Sequence, residues 1–269
     1  MKVSCIPICF FEDLIRTRRM PLAQWIQMAA DVGLDGIEVY RPYLDIADGG
    51  SPEALAEEID RAGLLVSMYT SYGDLAAASE DERQRQLELL RADIDTAVAL
   101  GTRIVRVTAG RWPTDCGPEE ALRNVAECLR RSLDYAQEQG VALAIEDHPE
   151  IGTRISDFVA ILSMVDDDRL KVNLDTSNPM ESGDSPVALT ELVKDRVVHV
   201  HASDRNEQLE HQVVGEGCVP FREVFAVLQS AGFDGWVSME AGGSKGKQGI
   251  VEGLSHVREA WRAGLTDLA

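Results

Sequence analysis

Short runs rich in Val, Ile and Leu recur along the chain, and each is followed by a longer stretch whose apolar positions return with helical spacing. Eight runs stand out, at 3–9, 36–40, 64–69, 103–108, 141–146, 170–175, 197–201 and 235–240. Alternation of this kind predicts parallel strands linked by crossover helices. Leu87, Leu90, Ile94, Ala97 and Val98 form one helical stripe, and Leu122, Val125, Leu129 and Leu133 form another. Gly33, Gly63, Gly101, Gly140 and Gly232 come shortly before the next run, where left-handed helix caps are expected, and Pro118 suits a helix start. Eight units in 269 residues are the size of a closed barrel, and no linker or composition break divides them. The expectation is an α/β protein forming a single (β/α)8 barrel domain over residues 1–269. Gly33-Leu34-Asp35-Gly36-Ile37-Glu38 is echoed by Gly232-Phe233-Asp234-Gly235-Trp236-Val237, as repeated units would leave. A doubly wound open sheet competes, but no GxGxxG or GxxxxGK[ST] follows the first run.

In a barrel strand, residues of one parity point inward and those of the other pack under the helices. Over the last four strands the inward set is Ala144, Glu146 and His148, then Asn173 and Asp175, then His199 and His201, then Ser238 and Glu240. The outward set is apolar: Leu143 and Ile145, Val172 and Leu174, Val198 and Val200, Val237 and Met239. Each inward set ends in an acid or a histidine at the strand's carboxyl end, the mouth where this architecture does chemistry. A single strand-end acid often caps a helix, and a single buried His is often structural. Together, Glu146, Asp175 and Glu240 place three carboxylates near one point, where repulsion and desolvation oppose ionisation unless a cation intervenes. A divalent ion resolves the conflict, and with His201 the site is rich in oxygen, suited to Mn²⁺, Mg²⁺ or Co²⁺ and admitting Zn²⁺.

Charge narrows the partners. The 46 acidic and 26 basic side chains leave a formal net charge of -20, which repels nucleic acid and anionic membranes. The five cysteines, Cys5, Cys9, Cys116, Cys128 and Cys218, form no CxxC pair, and the N-terminal stretch is too short and too acidic for a secretory signal. A reducing cytoplasm is the expected location, and no apolar run is long enough for a membrane span.

The pieces Ala144-Ile145-Glu146-Asp147-His148, Asn173-Leu174-Asp175-Thr176, His199-Val200-His201-Ala202-Ser203-Asp204, Gly215-Glu216-Gly217 and Asp234-Gly235-Trp236-Val237-Ser238-Met239-Glu240 together resemble the xylose-isomerase-like TIM-barrel superfamily. That group holds sugar-phosphate isomerases, ketose 3-epimerases, hydroxypyruvate isomerases, inosose and dehydroshikimate dehydratases, and apurinic endonucleases. The resemblance covers nearly the whole chain. It implies that Glu146, Asp175, His201 and Glu240 are metal ligands, that Glu146 and Glu240 act as the acid/base pair, and that the protein is a homodimer or homotetramer. Two positions differ from the epimerase and isomerase branches. Asn178 stands where a His commonly follows the strand-six Asp, and Glu207 stands where an Arg often follows the metal His, with Arg205 two residues earlier. The endonuclease branch needs more histidines than the five present.

The expected activity is a divalent-metal-dependent isomerase or epimerase of a small sugar, keto-sugar or sugar phosphate. It would work through a metal-stabilised enediolate with the two glutamates moving the proton. A dehydratase of a keto-polyol such as an inosose or dehydroshikimate, using the same enolate, is the alternative. A non-catalytic sugar-binding or partner-supporting barrel is the reading from another class. His148, Asn178, Arg205, His211, Glu216 and Trp112 are candidate substrate contacts, the last by stacking on a sugar's apolar face. Glu38, Tyr40 and Arg106 also face inward; Arg106 is read as a structural partner. His199, one layer below His201, is expected to orient a ligand. The run Asp166-Asp167-Asp168 lacks the Gly and terminal Glu of a calcium loop and is read as a solvated turn.

Overall fold

The computed structural model describes residues 1–47 and 50–267. Its strands are β1 (Lys2–Ile6), β2 (Gly36–Tyr40), β3 (Leu65–Thr70), β4 (Ile104–Val107), β5 (Ala142–Glu146), β6 (Lys171–Asp175), β7 (Val197–Ala202) and β8 (Trp236–Glu240). Its helices are α1 (Leu22–Asp31), α2 (Pro52–Arg61), α3 (Glu80–Ala99), α4 (Pro118–Glu138), α5 (Ile155–Val165), α6 (Pro186–Val193), α7 (Phe221–Ser230) and α8 (Lys247–Asp267). The strands pair in parallel in the order β1-β8-β7-β6-β5-β4-β3-β2. A side chain helps close the remaining seam. The Asp35 N–H donates to the Val3 carbonyl at 2.9 Å, and the Asp35 carboxylate accepts the Val3 N–H at 2.8 Å. The chain therefore forms a single (β/α)8 TIM barrel, nearly closed by its sheet ladder and joined at the β1–β2 edge through Asp35.

The helix stops follow the expected chemistry. Gly33, Gly63, Gly101, Gly140 and Gly232 all adopt positive φ, between 66° and 81°, the left-handed caps that a Cβ would strain. Pro118 opens α4 directly after its cap, Gly117. The echoed glycines have a packing reason. A Cβ on Gly36 would collide with the Leu65 carbonyl oxygen of β3, and one on Gly235 with the Val198 carbonyl oxygen of β7. At the mouth, β1 is shorter than its apolar run. It ends at Ile6 because Pro7 has no N–H to continue a ladder, and residues 8–10 form a 3-10 turn. Cys9 stays attached to the end of β8 through its N–H on the Ala241 carbonyl at 2.8 Å.

The two parities separate as expected. Leu143, Ile145, Val172, Leu174, Val200, Val237 and Met239 are buried in the apolar layer, while Glu146, Asn173, Asp175, His199 and His201 are buried in polar company inside the barrel. Burial of so many acids and histidines is costly unless each finds a partner, so their contacts carry the functional argument. The Asp166-Asp167-Asp168 run is a turn, with Asp166 left-handed at the end of α5, Asp167 paired with Arg169 and Asp168 with Arg196. No helix among the described residues is long and apolar enough to cross a membrane.

Candidate active site

At the carboxyl ends of β5, β6, β7 and β8, one ligand atom each from Glu146, Asp175, His201 and Glu240 lies within 4.8 Å of the others. The His201 Nδ1 is 2.6 Å from Glu146 Oε1 and 3.1 Å from Glu240 Oε1. Atoms bound to one ion at bonds of about 2.1 Å lie roughly 3 to 4.2 Å apart. Three carboxylates and one imidazole gathered this closely are a donor set that fits a divalent cation.

The electrostatics point the same way. Burial, then repulsion from Glu240 and Glu146, pushes the Asp175 carboxyl above its ordinary range. Glu146 goes in the opposite direction. Burial opposes its charge, but Arg106 and then His201 hold it well below the usual carboxylate range. The neighbours diverge because only Glu146 has a guanidinium against it: Arg106 Nη1 donates to Glu146 Oε2 at 2.8 Å, with both side chains buried. A cation among the ligands would let Asp175 ionise too.

Each member of the cluster is held from behind. Glu146 Oε1 accepts the Asn173 amide at 3.2 Å, and Asn173 Oδ1 lies 2.7 Å from His199 Nδ1. Asp175 Oδ1 accepts N–H groups from Ser177 at 2.8 Å and Asn178 at 2.7 Å, and the Ser203 hydroxyl at 2.7 Å. Among the described residues, the hydrogen bonds to this carboxylate all fall on that oxygen. His201 Nε2 lies 3.0 Å and 3.2 Å from the two oxygens of Glu38. Glu240 differs from the rest: 14% of its side chain is exposed, whereas the side chains of Glu146 and His201 are fully buried.

The other expected contacts are spread more widely. His148 stands beside the mouth with its Nδ1 2.5 Å from the Pro149 carbonyl oxygen and its ring edge-on to Tyr72 at 5.6 Å. Together with Tyr72, Thr108 and Arg111 it lines a cavity of about 510 Å³. Trp112 lines a different cavity of about 500 Å³, with Arg154 and Glu181. Arg205 is tied into the protein: it pairs with Glu181 at 2.7 Å and donates to Ser177 Oγ at 3.1 Å, to Asn178 Oδ1 at 3.3 Å and to the Leu209 carbonyl at 2.9 Å. Asn178 is thus buried between Arg205 and Asp175. His211 bridges Arg205 through the backbone, and Glu216 pairs with Lys245 at 2.5 Å on the exposed rim.

Two arrangements were not anticipated. Arg106, read as a structural partner, makes its pair with Glu146, a member of the four-residue cluster itself. Tyr72, half-exposed beyond the end of β3 where strand parity no longer applies, lies over the Arg106 guanidinium at 4.2 Å. It also meets Tyr40 edge-on at 5.7 Å, and Tyr40 stacks on Phe11 at 5.4 Å. An aromatic row from Phe11 to His148 therefore borders one side of the mouth.

Proteins similar to this chain carry names from more than one reaction class. The fructoselysine 3-epimerase of Shigella flexneri is 21% identical over 83% of this chain and 86% of its own length. The inosose dehydratase of Lacticaseibacillus casei is 25% identical but aligns over only 46% of this chain and 48% of its own length. The crystal structure of a D-tagatose 3-epimerase-like protein superposes with a TM-score of 0.83 at 22% identity, covering all of both chains. The family profile of the xylose isomerase-like TIM barrel matches residues 26–260, and with that span covering most of the sequence the chain belongs to this family.

Proposed function

We propose that the protein is a divalent-metal-dependent isomerase or epimerase of a small sugar, keto-sugar or sugar phosphate. The observation that carries this reading is the convergence of Glu146, Asp175, His201 and Glu240 on one point at the barrel mouth. Those four side chains would hold the ion. When bound, it supplies Lewis-acid polarisation of a substrate carbonyl, which acidifies the adjacent C–H. Manganese, magnesium and cobalt suit the oxygen-rich set, and zinc also fits.

The chain's own groups then divide the work. Glu240, with one edge reachable from solvent, takes the carbon-bound proton next to the carbonyl. Glu146 is the second member of the acid/base pair, its carboxylate held in place by Arg106 and Asn173. Asp175 and His201 anchor. The row of Phe11, Tyr40, Tyr72 and His148 offers a face to the apolar side of a sugar ring. Of the remaining expected contacts, His148 and His211 are closest in character to hydroxyl-binding groups, while Asn178, Arg205, Glu216 and Trp112 act through the loops they hold or line.

A keto-polyol dehydratase is the second reading. Asn178 favours it, because this position brings an amide already engaged with Arg205 in place of an imidazole free to serve a ketose. The test is a panel of ketoses, keto-inositols and hydroxypyruvate with Mn²⁺, followed in deuterated solvent. C–H exchange without loss of water supports isomerase or epimerase, and water loss supports the dehydratase. Glu146→Gln and Glu240→Gln should each abolish turnover in a folded protein; full activity in either removes that residue from the acid/base pair.

A further inference from the structure

Glu38 is a fully buried carboxylate on β2, outside the four-residue cluster. Its two oxygens lie 3.0 and 3.2 Å from Nε2 of His201, and the Thr70 hydroxyl donates to Glu38 Oε1 from the next strand. The strand pairing is irregular opposite this residue. Between the pairs Ile37↔Val66 and Val39↔Tyr69 the register slips, so Ser67 and Met68 together face Glu38 alone. Such bulges re-aim a side chain, and they recur beside functional sites. On the other side of the same imidazole, Nδ1 faces Glu146 and Glu240. An imidazole that ligates an ion must present a lone pair there and keep its proton on the far nitrogen.

Resting on the metal-centre reading above, we propose that Glu38 is the positioning residue for His201. It accepts the Nε2 proton, fixes the tautomer that leaves Nδ1 as the ligating nitrogen, and is itself held by Thr70. Glu38, His199 and His201 could by proximity form a second ion site. The richer set of carboxylates, Glu146, Asp175 and Glu240, gathers with Nδ1, and a neutral imidazole that ligates through Nδ1 keeps its proton on Nε2, which then has no lone pair for a second ion.

The experiment is calorimetric titration of Mn²⁺ into the wild type, Glu38→Gln, Thr70→Val and Asp175→Asn, with ¹⁵N NMR of His201 in Zn²⁺-loaded wild type. Loss of the acceptor should weaken Mn²⁺ binding by about 10- to 100-fold in Glu38→Gln, and by a smaller factor in Thr70→Val. The NMR spectrum should show the proton on Nε2 and the ion on Nδ1. Glu38→Gln binding within about twofold of the wild type, well short of the loss expected for such a partner, would overturn the role while leaving the metal centre intact. So would Zn²⁺ on Nε2 in the wild type, a result that needs no variant to fold. A wild type that takes up no Mn²⁺ would overturn the metal centre, and Glu38's role with it.

Discussion

Arg106 and Glu146 are 1% and 0% exposed and meet at 2.8 Å deep in the barrel. Neither charge could remain there alone. Removing one partner of a buried pair costs about 3–5 kcal/mol, mostly through the charge left behind. Arg106→Leu should therefore lower the unfolding free energy by about that amount in urea titrations with a chelator present. An unchanged value would mean that another cation already neutralises Glu146. The inward direction of Arg106 could be read from strand parity, but its partner could not. Parity says which side of a strand a residue faces; which inward neighbour it reaches depends on the stagger between strands.

The loop after β7 shows the same division at the level of an element. Asp204 accepts N–H groups from Gly215 at 2.8 Å, Gly217 at 2.9 Å and Val219 at 3.1 Å, so one carboxylate organises the connection into α7. A Cβ on Gly217 would collide with Asp204 Oδ1, so close approach requires glycine there. Asp204→Ala should cost at least about 2 kcal/mol, since hydrogen bonds to a charged group are each worth roughly 1.5–3 kcal/mol. Metal binding at the proposed four-residue site should survive, and denaturant melts alongside metal titration would check both. If the variant lost the metal but not stability, Asp204 would belong to the site and not to the loop. The pieces His199-Val200-His201-Ala202-Ser203-Asp204 and Gly215-Glu216-Gly217 are legible in sequence as a motif. That the second piece serves as the first one's hydrogen-bond partner appears only once the loop is folded, and so does the exposed pairing of Glu216 with Lys245.

For the whole molecule, the site's cost should appear as metal-dependent stability. An ion that binds only the folded chain at about 100 times its Kd adds about 2.7 kcal/mol. For a protein of this size that is roughly a 5 °C rise in melting temperature. Thermal melts with and without Mn²⁺ should show this gain in the wild type and none in Asp175→Asn. An equal shift in both would place the ion elsewhere on the -20 surface.

The sequence by itself determined the architecture and the inward set. Hydrophobic period, helix-capping glycines and the count of repeats depend on local chemistry, and they were sufficient for the eight strands and eight α-helices among the described residues and for the four-residue cluster. Tertiary structure alone decided who partners whom: Arg106 with Glu146, Glu38 with His201, Arg205 with Glu181 and Asn178, Tyr72 over Arg106. These contacts join residues far apart in the chain, set by barrel closure, a bulge in β3 and the loops beyond the strand ends. No local pattern encodes distances that exist only after the sheet has curled round on itself.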